Sequence, residues 1–511
     1  MPTARLTLDP GFRIGAVDRR LFGSFVEHMG RSVYTGVFEP GHPAADTDGF
    51  RTDVLSLVRE LGVTLVRYPG GNFVSNYRWE DGVGPLDQRP TRLDLAWRSV
   101  ESNAFGLNEF MAWAARAGVE PMMAVNLGTR GITEALALLE YANHPGGTAH
   151  SELRRSHGVA DPHDIRLWCL GNELDGPWQM GHKTAAEYGR LAAETARAMK
   201  RFDPALELVA CGSSNAHMET FASWEATVLE HTYDFVDYIS LHAYYDPTDK
   251  DPDSFLASAA EMDRMIDAVT ATADHVGARL RSRKKLKLSF DEWNVWYQSR
   301  FGGEDSLTWQ PAPRLIEDVY DVTDAVVVGS LLITLLRHAD RVGAACQAQL
   351  ANVIAPIMTE PGGPAWRQTI FHPFAQTARH ARGTVLRVEP DSPVVDTDRY
   401  GEVPALWATA THDEESGEIA LFAVNRDRTS PLTLTTGLRP FPGARVVEHL
   451  VLTDDDPTAV NTAEHPDRVR PRPVDGTSTD GDTLTVELPP VSWTMIRLAT
   501  ARTDPAATAP R

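Results

Sequence analysis

Short apolar runs recur along most of this chain, each followed by a turn and then by a stretch with apolar residues at helical spacing. The runs are Leu21–Val26, Thr64–Tyr68, Pro121–Val125, Ile165–Leu170, Leu206–Cys211, Tyr238–Leu241, Leu286–Phe290 and Ala344–Leu350. Runs of this length bounded by turn residues read as buried strands. Between them, Arg51–Leu61 and Leu107–Ala117 read as helices that stop at Gly62 and Gly118, where a left-handed C-cap is expected. Thr184–Phe202 has Thr184 as a capping residue and Pro204 just beyond its end. Ser254–His275 and Val322–His338 follow the same pattern. Eight β-then-α units predict an α/β fold, a (β/α)8 TIM barrel over residues 19–379.

After Ala381 the helical period disappears. Val385–Val388, Ala405–Ala410, Ile419–Asn425, Leu432–Leu434, Val446–Leu450, Leu484–Leu488 and Trp493–Leu498 read as short strands separated by turn residues. They predict a C-terminal antiparallel β-sandwich, jelly-roll-like, over residues 380–499. Within residues 1–18, Thr3–Val17 alternates loosely around a Pro10-Gly11 turn and reads as a strand pair completing that sandwich. Asp454–Asp482, rich in Asp, Pro and Thr, reads as a surface excursion, and residues 500–511 as a disordered tail.

Composition narrows the partners. The chain has 511 residues and a net charge of 49 − 70 = −21. That disfavours nucleic acid and anionic membranes, which need cationic surface. Cys169, Cys211 and Cys346 each lie in or beside an apolar run and lack zinc-site spacing, so buried reduced thiols are expected. The opening MPTARLTLDPGFRIG holds no apolar signal region, so the expected location is cytoplasmic. The longest apolar run, Ala325–Leu336, is short of the roughly 20 residues a membrane span needs and reads as a buried helix.

In a (β/α)8 barrel the chemistry gathers at the C-terminal ends of the strands. The first run is followed by Glu27 and His28. The second supplies Arg67 and then Asn72, the third Asn126, the fourth Asn172 and Glu173, and the fifth Ser213–Asn215. His242 and Tyr244 follow the sixth, Asp291, Glu292 and Asn294 the seventh, and the eighth supplies Gln347 and Gln349. A rim of amides, carboxyls and aromatics suits a sugar, which offers hydroxyls and apolar ring faces. Glu173 and Glu292 stand out as a pair, since glycoside hydrolysis needs one carboxyl to protonate the leaving oxygen and another to attack or to activate water. Gly70-Gly71 is a weak phosphate loop, because no Gly-Lys-Ser/Thr follows it.

The segments RYPGGNFVSNYRWEDGVGP (67–85), WCLGNELDGPWQMGH (168–182), SLHAYYD (240–246), FDEWNVWY (290–297) and QAQLANVIAPIMTEPGGPAWRQTIFHPF (347–374) resemble the family-51 glycoside hydrolases, the α-L-arabinofuranosidases. The resemblance implies a retaining, exo-acting enzyme with Glu173 as acid/base and Glu292 as nucleophile, releasing terminal arabinofuranosyl units from arabino-oligosaccharides, arabinan or arabinoxylan. It implies that Glu27, Arg67, Asn72, Asn172, His242, Tyr244 and Gln349 surround the sugar, with Trp178 and Trp296 as platforms for the leaving group. It further implies a homo-oligomer, often a hexamer, and neither metal nor cofactor. Two other readings stay open. One is a metal-dependent sugar isomerase, in which Glu27, Glu173, His242 and Glu292 would hold a divalent ion. The other is a non-catalytic carbohydrate-binding protein that uses the sandwich.

Overall fold

The structure is a computed structural model and describes residues 2–248 and 251–500. Eight parallel strands close into a barrel: β1 (Gly23–Phe25), β2 (Leu65–Tyr68), β3 (Glu120–Ala124), β4 (Leu167–Cys169), β5 (Glu207–Ala210), β6 (Tyr238–Tyr245), β7 (Lys287–Val295) and β8 (Val342–Gln347). Each pairs with the next in the chain, and β8 returns to β1 through Cys346↔Gly23 and Gln347↔Ser24. That seam requires its glycine, since a Cβ on Gly23 would stand 2.4 Å from the Ala345 carbonyl oxygen.

The eight main helices are α1 (Thr52–Leu61), α2 (Leu107–Ala117), α3 (Ile132–Asn143), α4 (Ala185–Phe202), α5 (Ser223–Thr232), α6 (Ala259–Arg279), α7 (Val322–Arg337) and α8 (Phe371–His380). As the pattern predicted, α1 and α2 end at left-handed Gly62 and Gly118, with φ of 79° and 76°. Thr184 and Glu187 form a reciprocal capping box at the start of α4.

Two sheets form the sandwich. Thr3–Thr7 pairs in parallel with Leu432–Gly437, whereas Arg13–Ala16 pairs antiparallel with Thr384–Leu386. The two N-terminal strands therefore complete the sandwich, but they lie in different sheets and do not form the expected pair with each other. The Asp9–Phe12 turn carries the chain across the sandwich, so the strand pattern survives while the hairpin does not. The 454–482 excursion is tied to the sheets by two short strands, Arg472–Pro473 and Thr479–Asp480. The expected tail lies outside the described residues, apart from Thr500.

Between barrel and sandwich runs α7, with 14 of its 16 residues buried. A helix apolar on all sides needs neighbours on all sides. Here Trp493 of the sandwich packs against Gly329, and Phe422, Val424 and Met495 join the same core as the barrel helices. Among the described residues no helix is long and apolar enough to cross a membrane. The three cysteines are buried and unpaired.

Candidate functional site

The barrel mouth is organised by the register of β6 against β7. A bulge between Ser240 and His242 brings His242 opposite Glu292, and Tyr244 opposite Asn294. The seventh strand runs past its expected end at Phe290 to Val295, because this pairing continues to Tyr245↔Val295. Glu292 thus sits within a strand and not in a loop, which fixes its backbone. One of its oxygens accepts from Arg67 Nη1 at 2.7 Å and the other from the Tyr244 hydroxyl at 2.8 Å. Arg67, on β2, also donates from Nη2 to Asn172 Oδ1 at 2.7 Å. Burial works against the Arg67 charge, but Asp291 and Glu292 outweigh it and hold its pKa above the ordinary value.

Glu173 leaves the end of β4 through an unusual backbone. Gly171 has φ of 100°, and Glu173 itself is left-handed at 45°. A non-glycine residue is held in that region only where its surroundings dictate it, and such outliers cluster at functional sites. The turn delivers the Glu173 carboxyl between two donors: His242 Nδ1 lies 2.8 Å from Oε1, and Trp178 Nε1 donates to Oε2 at 2.9 Å. His242 Nε2 meets Asp291 Oδ1 at 2.9 Å. Both ring nitrogens therefore face carboxyl groups. Burial opposes a charge on His242, yet Glu292, Asp291 and Glu173 together push its pKa up to about 10. Burial raises the Glu173 pKa, and nearby Glu292 adds to this, against the pull of His242 and Trp178. Arg67 and His242 thus face the Asp291 and Glu292 carboxyls, while burial and Glu292 favour the protonated form of Glu173. One oxygen of Glu173, one of Glu292 and a nitrogen of His242 lie within 4.8 Å of one another. Carboxyl groups about 5–5.5 Å apart suit a retaining glycosidase, whereas inverting enzymes hold them roughly 6.5–9.5 Å apart.

These groups face a cavity of about 350 Å³. Of the residues expected around the sugar, Glu27, Asn72, Glu173, Trp178, Tyr244, Glu292, Trp296 and Gln349 line it. Arg67, Asn172 and His242 do not. They stand directly behind the wall, where they hold Glu292 and Glu173. Asn172 keeps its Nδ2 close to the lining, 3.5 Å from Asn72 Oδ1. His242, expected around the sugar, supports Glu173 here, with both its ring nitrogens engaged by carboxyls. Glu27 accepts from Phe73 N and Trp97 Nε1, both at 2.9 Å, and from Gln349 Nε2 at 3.2 Å. Burial outweighs these donors and lifts its pKa to about 8. Ser214, expected at the rim, lines the cavity, as do Trp97, Met29, Phe301 and Ile316, which were not anticipated. Trp97 sits inside a hairpin formed by Arg92–Asp94 and Ser99–Glu101, away from any barrel-strand end. Asp291 was legible beside Glu292, but its use as the partner of His242 needs the β6–β7 register.

Residues 57–264 match the family model described as Alpha-L-arabinofuranosidase 1 domain, and residues 291–492 match the Alpha-L-arabinofuranosidase C-terminal domain. A Streptomyces lividans protein named intracellular exo-α-(1→5)-L-arabinofuranosidase is 65% identical over 509 residues, covering 99% of this chain and 76% of the relative. The chain belongs to the family-51 α-L-arabinofuranosidases. A relative of the same name from Halalkalibacterium halodurans is 54% identical, covering 97% of this chain and 99% of its own. A Bifidobacterium longum relative, also 54% identical over 97% of both chains, is named exo-α-(1→6)-L-arabinofuranosidase. The structure of a family-51 α-L-arabinofuranosidase from Bifidobacterium longum superposes with a TM-score of 0.94 at 49% identity, covering 97% of this chain and 99% of that one. An arabinose complex of the Thermotoga maritima α-L-arabinofuranosidase gives 0.86 at 32% identity, with coverage of 97% and 99%.

The isomerase reading needs Glu27, Glu173, His242 and Glu292 around one ion. Among the described residues Glu173, His242 and Glu292 come close enough, but Glu27 is not part of that group. The ligand atoms of all three are already engaged by Trp178, Tyr244, Arg67 and Asp291 or by one another. This is a donor set built for holding protons.

Proposed function

We propose that the chain is a retaining, exo-acting α-L-arabinofuranosidase with Glu173 as acid/base and Glu292 as nucleophile. The observation that carries this is the approach of the two carboxyls to within 4.8 Å, one held by Arg67 and Tyr244 and the other with its pKa raised by burial. In the first step Glu292 attacks the anomeric carbon while Glu173 gives its proton to the departing oxygen. Arg67 and Tyr244 each donate to one Glu292 oxygen and keep the carboxylate aimed, leaving a lone pair on each oxygen free for attack. The glycosyl-enzyme ester then carries no charge at Glu292. That removes one cause of the raised Glu173 pKa, so the carboxyl is free to act as base toward water. The positive His242 favours this second state. Asn172 Nδ2, 3.5 Å from the cavity-lining Asn72 Oδ1, is assigned as the donor to the 2-hydroxyl, a contact that strengthens in the transition state.

A cavity of about 350 Å³ suits removal of single terminal units. Four relatives at 52–65% identity are named intracellular and exo-α-(1→5). They support short 1→5-linked arabino-oligosaccharides as substrates and a cytoplasmic location. A homo-oligomer is proposed with them, and light scattering at a multiple of 56.2 kDa tests it. The decisive experiment for the mechanism is proton NMR of the first product from an aryl α-L-arabinofuranoside. Initial release of the α-anomer is expected, and initial release of the β-anomer would overturn the assignment.

A further inference from the structure

A second cavity, of about 160 Å³, backs onto the catalytic one. The two share two wall segments. Gly71 and Asn72 line the catalytic cavity while Phe73 lines the second; Trp97 lines the first while Leu93 and Asp94 line the second. Two of the three carboxyl groups in the second cavity are already matched. Asp81 pairs with Arg92 at 2.9 Å and with Arg78 at 3.9 Å, and Glu101 is taken up by His28, Tyr34 and the Asn103 amide. Asp94 alone has no cationic partner among the described residues, and what it offers a ligand is hydrogen-bond acceptance, which a neutral polyol uses. It has acceptor capacity beyond its bonds from Ala96 N, Trp97 N and the Ser99 hydroxyl, since a carboxylate offers about four lone-pair sites. Asn76 offers an amide, Phe73 a ring, and Leu93 an apolar side chain that is 55% exposed. Hydroxyls and apolar faces together are what a sugar presents.

We propose that this second cavity binds a neutral pentose unit, and that its occupant is sensed by the catalytic site. The proposal rests on the arabinofuranosidase reading above. The path is short. Asp94 holds the backbone N–H of Trp97 at 3.0 Å, and the Trp97 indole donates to Glu27 at 2.9 Å. Phe73 belongs to the second wall, and its own N–H also donates to Glu27 at 2.9 Å. A sugar seated against Asp94 and Phe73 therefore steadies the two donors that orient Glu27. The occupant is either a further unit of the oligosaccharide being cleaved or a free pentose.

The test uses the full chain and the double variant Arg78→Ala/Leu93→Ala. Both side chains are exposed and neither touches the catalytic groups. The probes are an aryl α-L-arabinofuranoside, which carries one sugar, and linear α-1,5-arabinotriose. KM for arabinotriose is expected to rise at least fivefold in the variant, while both constants for the aryl substrate stay within twofold. Free L-arabinose separates the two sources. Mixed inhibition of aryl hydrolysis that turns competitive in the variant assigns the site to free pentose; competitive inhibition in both assigns it to a substrate unit. Equal changes for both substrates, or unchanged kinetics for both together with L-arabinose inhibition that the variant leaves unaltered, overturn the proposal. Absence of aryl turnover by the unmodified enzyme counts against the activity instead. In that event calorimetric titration of arabinotriose reads the site directly, with weaker binding to the variant expected and equal binding overturning it.

Discussion

Replacing Glu173 with alanine removes a carboxyl that joins His242 Nδ1 at 2.8 Å to Trp178 Nε1 at 2.9 Å. The gap then lies between the His242 ring and the Trp178 indole. Proton donation to a leaving group is worth roughly 10²–10⁴ in rate, or about 3–5 kcal/mol of barrier. An arabino-oligosaccharide departs as an alkoxide and needs the whole of that help. A dinitrophenyl arabinofuranoside departs as a stable phenolate and needs almost none. Steady-state kinetics on the two substrates should therefore diverge: kcat/KM falls by about 10²–10⁴ on the oligosaccharide and by less than about tenfold on the activated one. The kcat for the activated substrate should still drop, since hydrolysis of the intermediate lacks its base. Azide, a nucleophile that needs no base, should restore turnover and give the α-azide. Equal losses on both substrates, or a β-azide, would refute the role assigned to Glu173.

Tyr244→Phe removes one of two donors to Glu292. A hydrogen bond to a charged group is worth about 1.5–3 kcal/mol, so kcat/KM should fall about 10–150-fold on good and poor leaving groups alike; a loss confined to poor ones would move Tyr244 to the acid side. The folded state raises the His242 pKa from an ordinary 6.5 to about 10. Its contribution to stability is therefore complete below pH 6.5 and fades as pH climbs toward 10. Denaturant midpoints should decline over that window, and the decline should shrink in His242→Asn. Gly329→Ala would ordinarily stabilise a helix by up to about 1 kcal/mol. Here the added Cβ would stand 2.2 Å from Trp493, so urea unfolding should show a loss of about 1–3 kcal/mol, and a gain would contradict the packing described.

Much of the site was legible because barrel chemistry follows a positional rule. Glu27, Asn72, Glu173, Tyr244, Glu292 and Gln349 all lie at or just beyond an apolar run, and all reach the cavity. What a run cannot encode is depth. His242 and Tyr244 are two residues apart on one strand, yet one lies behind Glu173 and the other in the wall. That distinction comes from their partners: His242 is engaged by Glu173 and Asp291, whereas Tyr244 donates to Glu292. Trp97 was missed because its position is set by a hairpin and by the Asp94 carboxylate, neither of which has a periodic signature. Ile316 and Ile354, both left-handed at φ of 48° and 39°, also line the cavity. Their conformation is held by the bond from Ile354 N to the Ile316 carbonyl, a contact between segments distant in the chain. The N-terminal strands show the same limit in the fold. Alternation predicts a strand but not its neighbour.

Helix α7 has a consequence for how the chain reaches its final form. The helix is made after seven of the eight barrel strands, yet Gly329 is covered by Trp493, more than 160 residues later. During synthesis the barrel therefore waits, with a greasy flank open, until nearly the last described strand emerges. The sandwich acts as a late lock on the catalytic half, and shortening the chain from its C-terminal end should trap an unfinished barrel prone to self-association instead of freeing an independent one.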